Sequence, residues 1–165
     1  MKKIALFVVA LVMSVAANAQ FEQGKGYLGA SFSGFDLSSQ AKQSHIGFNA
    51  KVGYMFADNL MALGELGYEK WENVPYTLYL GGAARYYIIQ NGLYLGAGLK
   101  YKHTEDFNDL VPNLHLGYAF FLSRTVTLEP ELYFDFSTKN SDYSSYGLRI
   151  GVGVYLFKDQ YQIKK

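Results

Sequence analysis

From residue 26 onward apolar side chains recur at every second position, segment after segment, with no sustained helical period. Alternation at period two gives a strand one apolar and one polar face. Eight strands are predicted: Gly26 to Asp36, Ser44 to Phe56, Leu60 to Trp71, Tyr76 to Gln90, Leu93 to His103, Asn113 to Leu122, Val126 to Ser137 and Ser145 to Phe157. The connections between them have 7, 3, 4, 2, 9, 3 and 7 residues, so longer and shorter ones alternate strictly. An up-and-down antiparallel barrel, with tight turns at one end and loops at the other, has this rhythm.

The faces can be read residue by residue. In the second strand Ile46, Phe48, Ala50, Val52, Tyr54 and Phe56 oppose His45, Gly47, Asn49, Lys51, Gly53 and Met55. The last strand sets Leu148, Ile150, Val152, Val154 and Leu156 against Gly147, Arg149, Gly151, Gly153 and Tyr155. Loop length fixes which residues of a hairpin share a face, so turns test these assignments. Asn91-Gly92 suits a two-residue type I′ turn, which puts Arg85 and Lys100 on one face. Three-residue turns at Ala57 to Asn59 and Ser123 to Thr125 keep Lys51 with Glu65 and His115 with Glu131.

Alternation alone also suits a soluble barrel with its apolar face inside, so orientation needs separate grounds. The apolar face is banded. Ala50, Val52, Leu80, Ala84, Ala97, Leu116 and Val152 lie mid-strand, while Tyr54, Phe56, Tyr68, Tyr76, Tyr86, Tyr101, Phe134, Phe136 and Tyr146 gather towards the ends, as interfacial girdles do. The polar face carries 11 of the 17 glycines beside tyrosines, the small-next-to-large filling that a narrow lumen requires. Both features place the polar face inside and the apolar face in lipid. The fold class is therefore all-β, an eight-stranded antiparallel up-and-down transmembrane β-barrel. Pro130, mid-strand without an N–H, predicts a bulge or a local gap in pairing.

The start of the chain reads as an export signal: Lys2 and Lys3, an apolar run from Ile4 to Ala17, then Ala17-Asn18-Ala19 as a cleavage site. The apolar run falls short of the roughly 18 to 20 residues of a helical span. The expected organisation is a signal peptide over 1–19, an outer-membrane barrel over 20–157 and a short periplasmic tail over 158–165. Beyond the signal, 13 basic residues face 14 acidic ones, a balance that gives no footprint for nucleic acid. Without cysteine there is neither a disulfide framework nor a thiolate for catalysis or soft metals.

Three stretches carry a resemblance to a known family. Gly53-Tyr54-Met55-Phe56-Ala57-Asp58-Asn59-Leu60, continuing to Glu65-Leu66-Gly67-Tyr68, is similar to the strand, tight turn and strand of small OmpA-like and OmpX-like outer-membrane barrels. Leu128-Glu129-Pro130-Glu131-Leu132-Tyr133 resembles a run of their penultimate strand. The last strand resembles the signal read by the barrel assembly machinery, with Arg149, Gly151, Val154 and Leu156 at its pattern positions. The resemblance implies this fold, assembly with periplasmic chaperones and that machinery, and residence among outer-membrane lipid and lipopolysaccharide with both termini periplasmic. It implies no activity and no oligomeric state.

Candidate chemistry lies on the polar face. Lys51, Arg85, Lys100, Lys102 and Arg149 face Glu65, Glu69, Glu129, Glu131 and Asp135, five cations against five anions. An eight-stranded barrel is barely wider inside than its side chains, so a lumen plugged by ion pairs and tyrosine hydroxyls is expected, with Lys51 and Glu65 paired directly across strands. That reading makes the barrel a structural or interaction element of the envelope; a narrow porin-like channel or carrier of small or hydrophobic solutes is the alternative. His45, His103 and His115, near the outer strand ends, match no zinc spacing, so no metal is expected. Glu105, Asp106 and Asp109 in the longest loop could hold a calcium ion, but the EF-hand spacing is absent and a solvated acidic loop is the commoner case. A lipid A hydrolase reading lacks its serine, since Gly117 stands two positions after His115, so no enzyme and no cofactor is expected. Lys70, at the rim beside Trp71, is placed to snorkel towards lipopolysaccharide phosphates.

Overall fold

The structure, a computed structural model, describes residues 21–35, 45–71, 76–88, 92–103, 108–139 and 144–156. The expected signal segment 1–19, the tail 158–165, and Glu105 and Asp106 lie outside the described residues. Nine strand segments form: β1 Gly26–Phe35, β2 His45–Ala57, β3 Leu60–Trp71, β4 Thr77–Tyr87, β5 Leu93–His103, β6 Asn108–Tyr118, β7 Phe120–Phe121, β8 Val126–Asp135 and β9 Ser145–Leu156. β6 and β7 are one stave interrupted at Ala119, so the barrel has eight staves, as the alternation predicts.

Every pairing is antiparallel between neighbours in the chain, and β9 returns to β1 with Leu156 opposite Gly26. The ring is closed and offers no open edge. An even number of staves brings Phe21 and Leu156 to the same end, with the turns at 58–59, 88–92 and 122–125. We call this the turn end, and the opposite rim the loop end.

The outside is apolar and the inside polar. Ile46 is 71% exposed, Leu80 64% and Phe32 64%, while Lys51, Arg85, Glu129 and Glu131 are buried. A soluble protein hides its hydrophobic residues; a continuous exposed apolar belt around buried charge is the inversion that lipid demands.

Turn chemistry sets the registers. Asn59 adopts φ +64° and closes the β2–β3 hairpin, with a bulge between Met55 and Ala57, which leaves Lys51 opposite Glu65 as the sequence predicts. The β4–β5 hairpin departs from expectation. Its last pair is Tyr87 with Tyr94, so the connection is 88–92 and not the two-residue turn read from Asn91-Gly92; Asn91 lies outside the described residues. The register moves by two, an even slip that keeps Arg85 and Lys100 facing inward.

Both strand prolines sit where their missing N–H does least harm. Pro130 leaves a gap and no bulge: β6 pairs β8 from Asn113↔Asp135 to Gly117↔Glu131, and β7 resumes in the same register at Phe120↔Leu128. Pro112 marks an error in the predicted sixth strand, which begins at Asn108 and not at Asn113. The Pro112 carbonyl accepts the Phe136 N–H at 2.8 Å, just past the last residue of β8, so its absent donor faces the end of a ladder. Asp109 is consequently a strand residue and not a loop ligand.

Candidate functional site

All ten charged residues singled out from the sequence lie inside the barrel, 9% exposed or less except the partly buried Lys102. Period-two alternation aims each at the axis, and closure brings together staves far apart in sequence. The lumen they fill divides into an aromatic half towards the turn end, a charged centre, and a second charged layer towards the loop end.

At the turn end Phe21, Met55, Met61, Tyr87, Tyr94 and Tyr155 are essentially unexposed. The Phe21 ring stacks on Tyr87 with centroids 3.8 Å apart, and meets Tyr155 edge-on at 5.6 Å. The Tyr87 and Tyr155 hydroxyls share a 2.6 Å hydrogen bond. Glycines make room for rings at both ends of the lumen: a Cβ on Gly117 would run into the Tyr94 hydroxyl here, and one on Gly67 into the Tyr79 ring towards the loop end. The small-beside-large pattern of the sequence is thus a set of tyrosines lying flat across glycines of a neighbouring strand.

Arg85 roofs this half. Its guanidinium bonds Glu129 at 3.0 Å and Glu131 at 3.2 Å, donates to the Tyr87 hydroxyl, and lies 3.9 Å over the Tyr94 ring. Glu129 also accepts from Tyr27 and Thr127 at 2.8 Å each. Glu131 is the hub, with Lys51 at 3.0 Å, Arg149 at 3.4 Å and the Tyr94 hydroxyl at 3.1 Å. Hydrogen-bonded ion pairs of this kind satisfy charges that a dry interior would otherwise reject.

The Lys51–Glu65 ion pair expected from their facing positions is not made. Lys51 reaches across the lumen to Glu131, while Glu65 accepts from Asn49 at 3.2 Å. Side chains on the concave wall of a narrow barrel converge on the axis, so the far wall is nearer to an ammonium than the adjacent strand's carboxylate.

Towards the loop end Lys100 bonds Asp135 at 2.9 Å, and Lys102 bridges Glu69 at 3.1 Å and Asp135 at 3.3 Å. Asp109, read as a loop residue, is buried here and accepts from the Ser137 and Thr138 hydroxyls. The histidines are kept apart: His115 is buried in the lumen across from Gly96, His103 is exposed outside with Asn108, and the His45 side chain is not among those described. Among the described residues no three metal-ligating side chains gather. Lys70 is exposed on the outer wall. Of the assembly-signal positions, Arg149 and Gly151 face inward, while Val154 and Leu156 face outward.

Sequence reasoning missed Phe21. It precedes the first strand and belongs to no alternating segment, so period and turn signals are silent about it. Its carbonyl accepts the Asn59 N–H at 2.8 Å, and the nearby Lys25 is buried at the mouth, where desolvation lowers its ammonium below the ordinary value against the pull of Glu22 at 3.8 Å. Beside Ser31, whose hydroxyl has no hydrogen-bond partner among the described residues, lies a void of about 10 Å³, the room of a single water.

The comparisons agree with this architecture. The family described as "Outer membrane protein beta-barrel domain" matches residues 5–161. Among solved structures, the N-terminal β-barrel domain of Pseudomonas aeruginosa OprF superposes with a TM-score of 0.61 at 15% identity, covering 81% of this chain and 98% of that one. Neisserial surface protein A gives 0.59 at 17% identity over 79% and 95%. OprG of Pseudomonas aeruginosa gives 0.52 at 13% identity over 86% and 100%. At such identities the likeness concerns the fold alone. No match to a curated protein is found.

Proposed function

Given that the chain belongs to the outer membrane protein beta-barrel domain family, we propose that it is an integral outer-membrane barrel with a filled, non-conducting lumen, serving a structural or interaction role in the cell envelope. The observation that carries this reading is the pairing of lumen charge. Each of the five inward cations from Lys51 to Arg149 lies within 3.4 Å of a carboxylate, and the void beside Ser31 holds no more than a water. An ion entering would have to break such pairs without replacing them.

The turn end, with Phe21 and Leu156, is read as periplasmic and the loop end as external, the usual arrangement for barrels with an even number of strands. Outer-membrane lipid and lipopolysaccharide then contact the apolar belt and Lys70, and the last strand engages the assembly machinery after delivery by periplasmic chaperones. The barrel is read as non-enzymatic, because Glu69, Glu129, Glu131 and Asp135 are committed to cations and Glu65 to the Asn49 amide. Planar-bilayer recording of the purified protein tests the reading: a silent membrane is expected, and steady openings on the nanosiemens scale would overturn it.

A further inference from the structure

We propose that residues 21–23 are a hinged plug, a gate at the turn end that works separately from the charge network, so that the lumen is shut twice in series. The inference rests on the closed-lumen reading above. The chain leaves the β1–β2 ladder at Gly24, which adopts φ +92°, and crosses the mouth to insert Phe21. Apart from the Glu22–Lys25 ion pair at 3.8 Å, its polar ties among the described residues run to the β2–β3 hairpin. The Asn59 N–H donates to the Phe21 carbonyl at 2.8 Å, the Gln23 N–H to Asp58 at 2.9 Å and the Gln23 side chain to the Phe56 carbonyl at 3.0 Å.

The other walls meet only the ring: Tyr87 on β4, Phe121 on β7 and Tyr155 on β9. A segment tied to one wall and packed against the rest by one aromatic ring can leave without breaking a ladder bond between staves. The receptacle would persist, since Tyr87 and Tyr155 are bonded to each other and Arg85 is held by Glu129 and Glu131. Among the described residues no hydrogen bond, ion pair or ring contact joins residues 21–23 to the network beyond Arg85, which stays closed when the plug moves.

The chain has no cysteine, so single cysteines can report access to each compartment. Met61→Cys probes the aromatic vestibule and Ser31→Cys the void beyond Tyr27 on β1, both buried. A water-soluble, charged thiol reagent is added to the folded protein, with folding checked by its heat-shifted mobility. Reaction at Met61→Cys should be slow with Phe21 present and about tenfold faster or more with Phe21→Ala, since labelling follows the open population. Gly24→Ala supplies a second route that keeps the ring. An added Cβ there meets nothing within 4 Å, so only the backbone is strained, and the plug should open about tenfold more often.

Ser31→Cys should stay slow in every background. Met61→Cys reactivity unmoved by both variants, or Ser31→Cys accelerating alongside it, would overturn the proposal. If Phe21→Ala does not fold, Gly24→Ala decides. A conducting wild type would defeat the closed-lumen reading itself, whereas a silent wild type with unmoved Met61→Cys labelling would defeat the plug alone.

Discussion

Towards the turn end the lumen is filled by rings and thioethers with no exposure, Phe21, Met55, Met61, Tyr87 and Tyr155; towards the loop end Lys100, Lys102, Glu69 and Asp135 fill the same cross-section with charge. Both sets occupy the face that alternation marks as polar. The difference lies in access to water. The Lys102 side chain keeps 15% of its surface and Glu69 9%, whereas Arg85 keeps none and Glu129 4%. The Lys102–Glu69 pair at the loop end can be partly hydrated and so adds less, while Lys100–Asp135, 2% and 1% exposed, and the charge beside the aromatic half depend wholly on their partners. The lumen is therefore dry from the aromatic half through Arg85 to Lys100–Asp135, with a wetter ionic rim at Lys102 and Glu69.

The sharpest test of that contrast is Arg85→Met, which keeps volume and removes the charge. Glu129 and Glu131 would face an apolar side chain, at a cost of about 3–5 kcal/mol. A clear fall in the urea unfolding midpoint in detergent or lipid is expected; an unmoved midpoint would mean that water reaches the centre. Next in size is Gly117→Ala in the aromatic half, where the new methyl drives Tyr94 from its place over Arg85 at a cost of about 1–3 kcal/mol. Near-ultraviolet circular dichroism should report the moved ring, and an unchanged spectrum would show slack in this core.

Smallest is Lys102→Ala, at about 1 kcal/mol or less, with an effect that shrinks as salt is raised. Salt should leave the Arg85→Met effect unchanged. If Lys102→Ala costs as much as Arg85→Met at any ionic strength, the two layers are equally dry and the contrast fails.

Much of this was legible in the sequence. All eight staves were placed, five of them to within one residue at both ends, and all ten lumen charges were assigned inward, because side-chain direction in a strand is set by position parity alone. Where local signals competed, the reading slipped. Pro112 read as a loop residue because prolines are disfavoured in ladders, and Asn91-Gly92 read as a two-residue turn although the ladder ends at Tyr87 and Tyr94. Phe21 carried no signal, since its place depends on a mouth assembled by four different staves.

By itself the sequence determined which face each strand residue shows and hence what fills the lumen, since parity is a property of neighbouring residues. Only the tertiary structure decided who meets whom inside. Lys51 and Glu131 are 80 residues apart and sit on staves that are not neighbours; curvature and closure of the ring bring them to 3.0 Å, while Glu65, directly opposite Lys51 along the wall, takes Asn49. Closure aims every inward side chain at a common axis, and no pattern along the chain encodes that convergence.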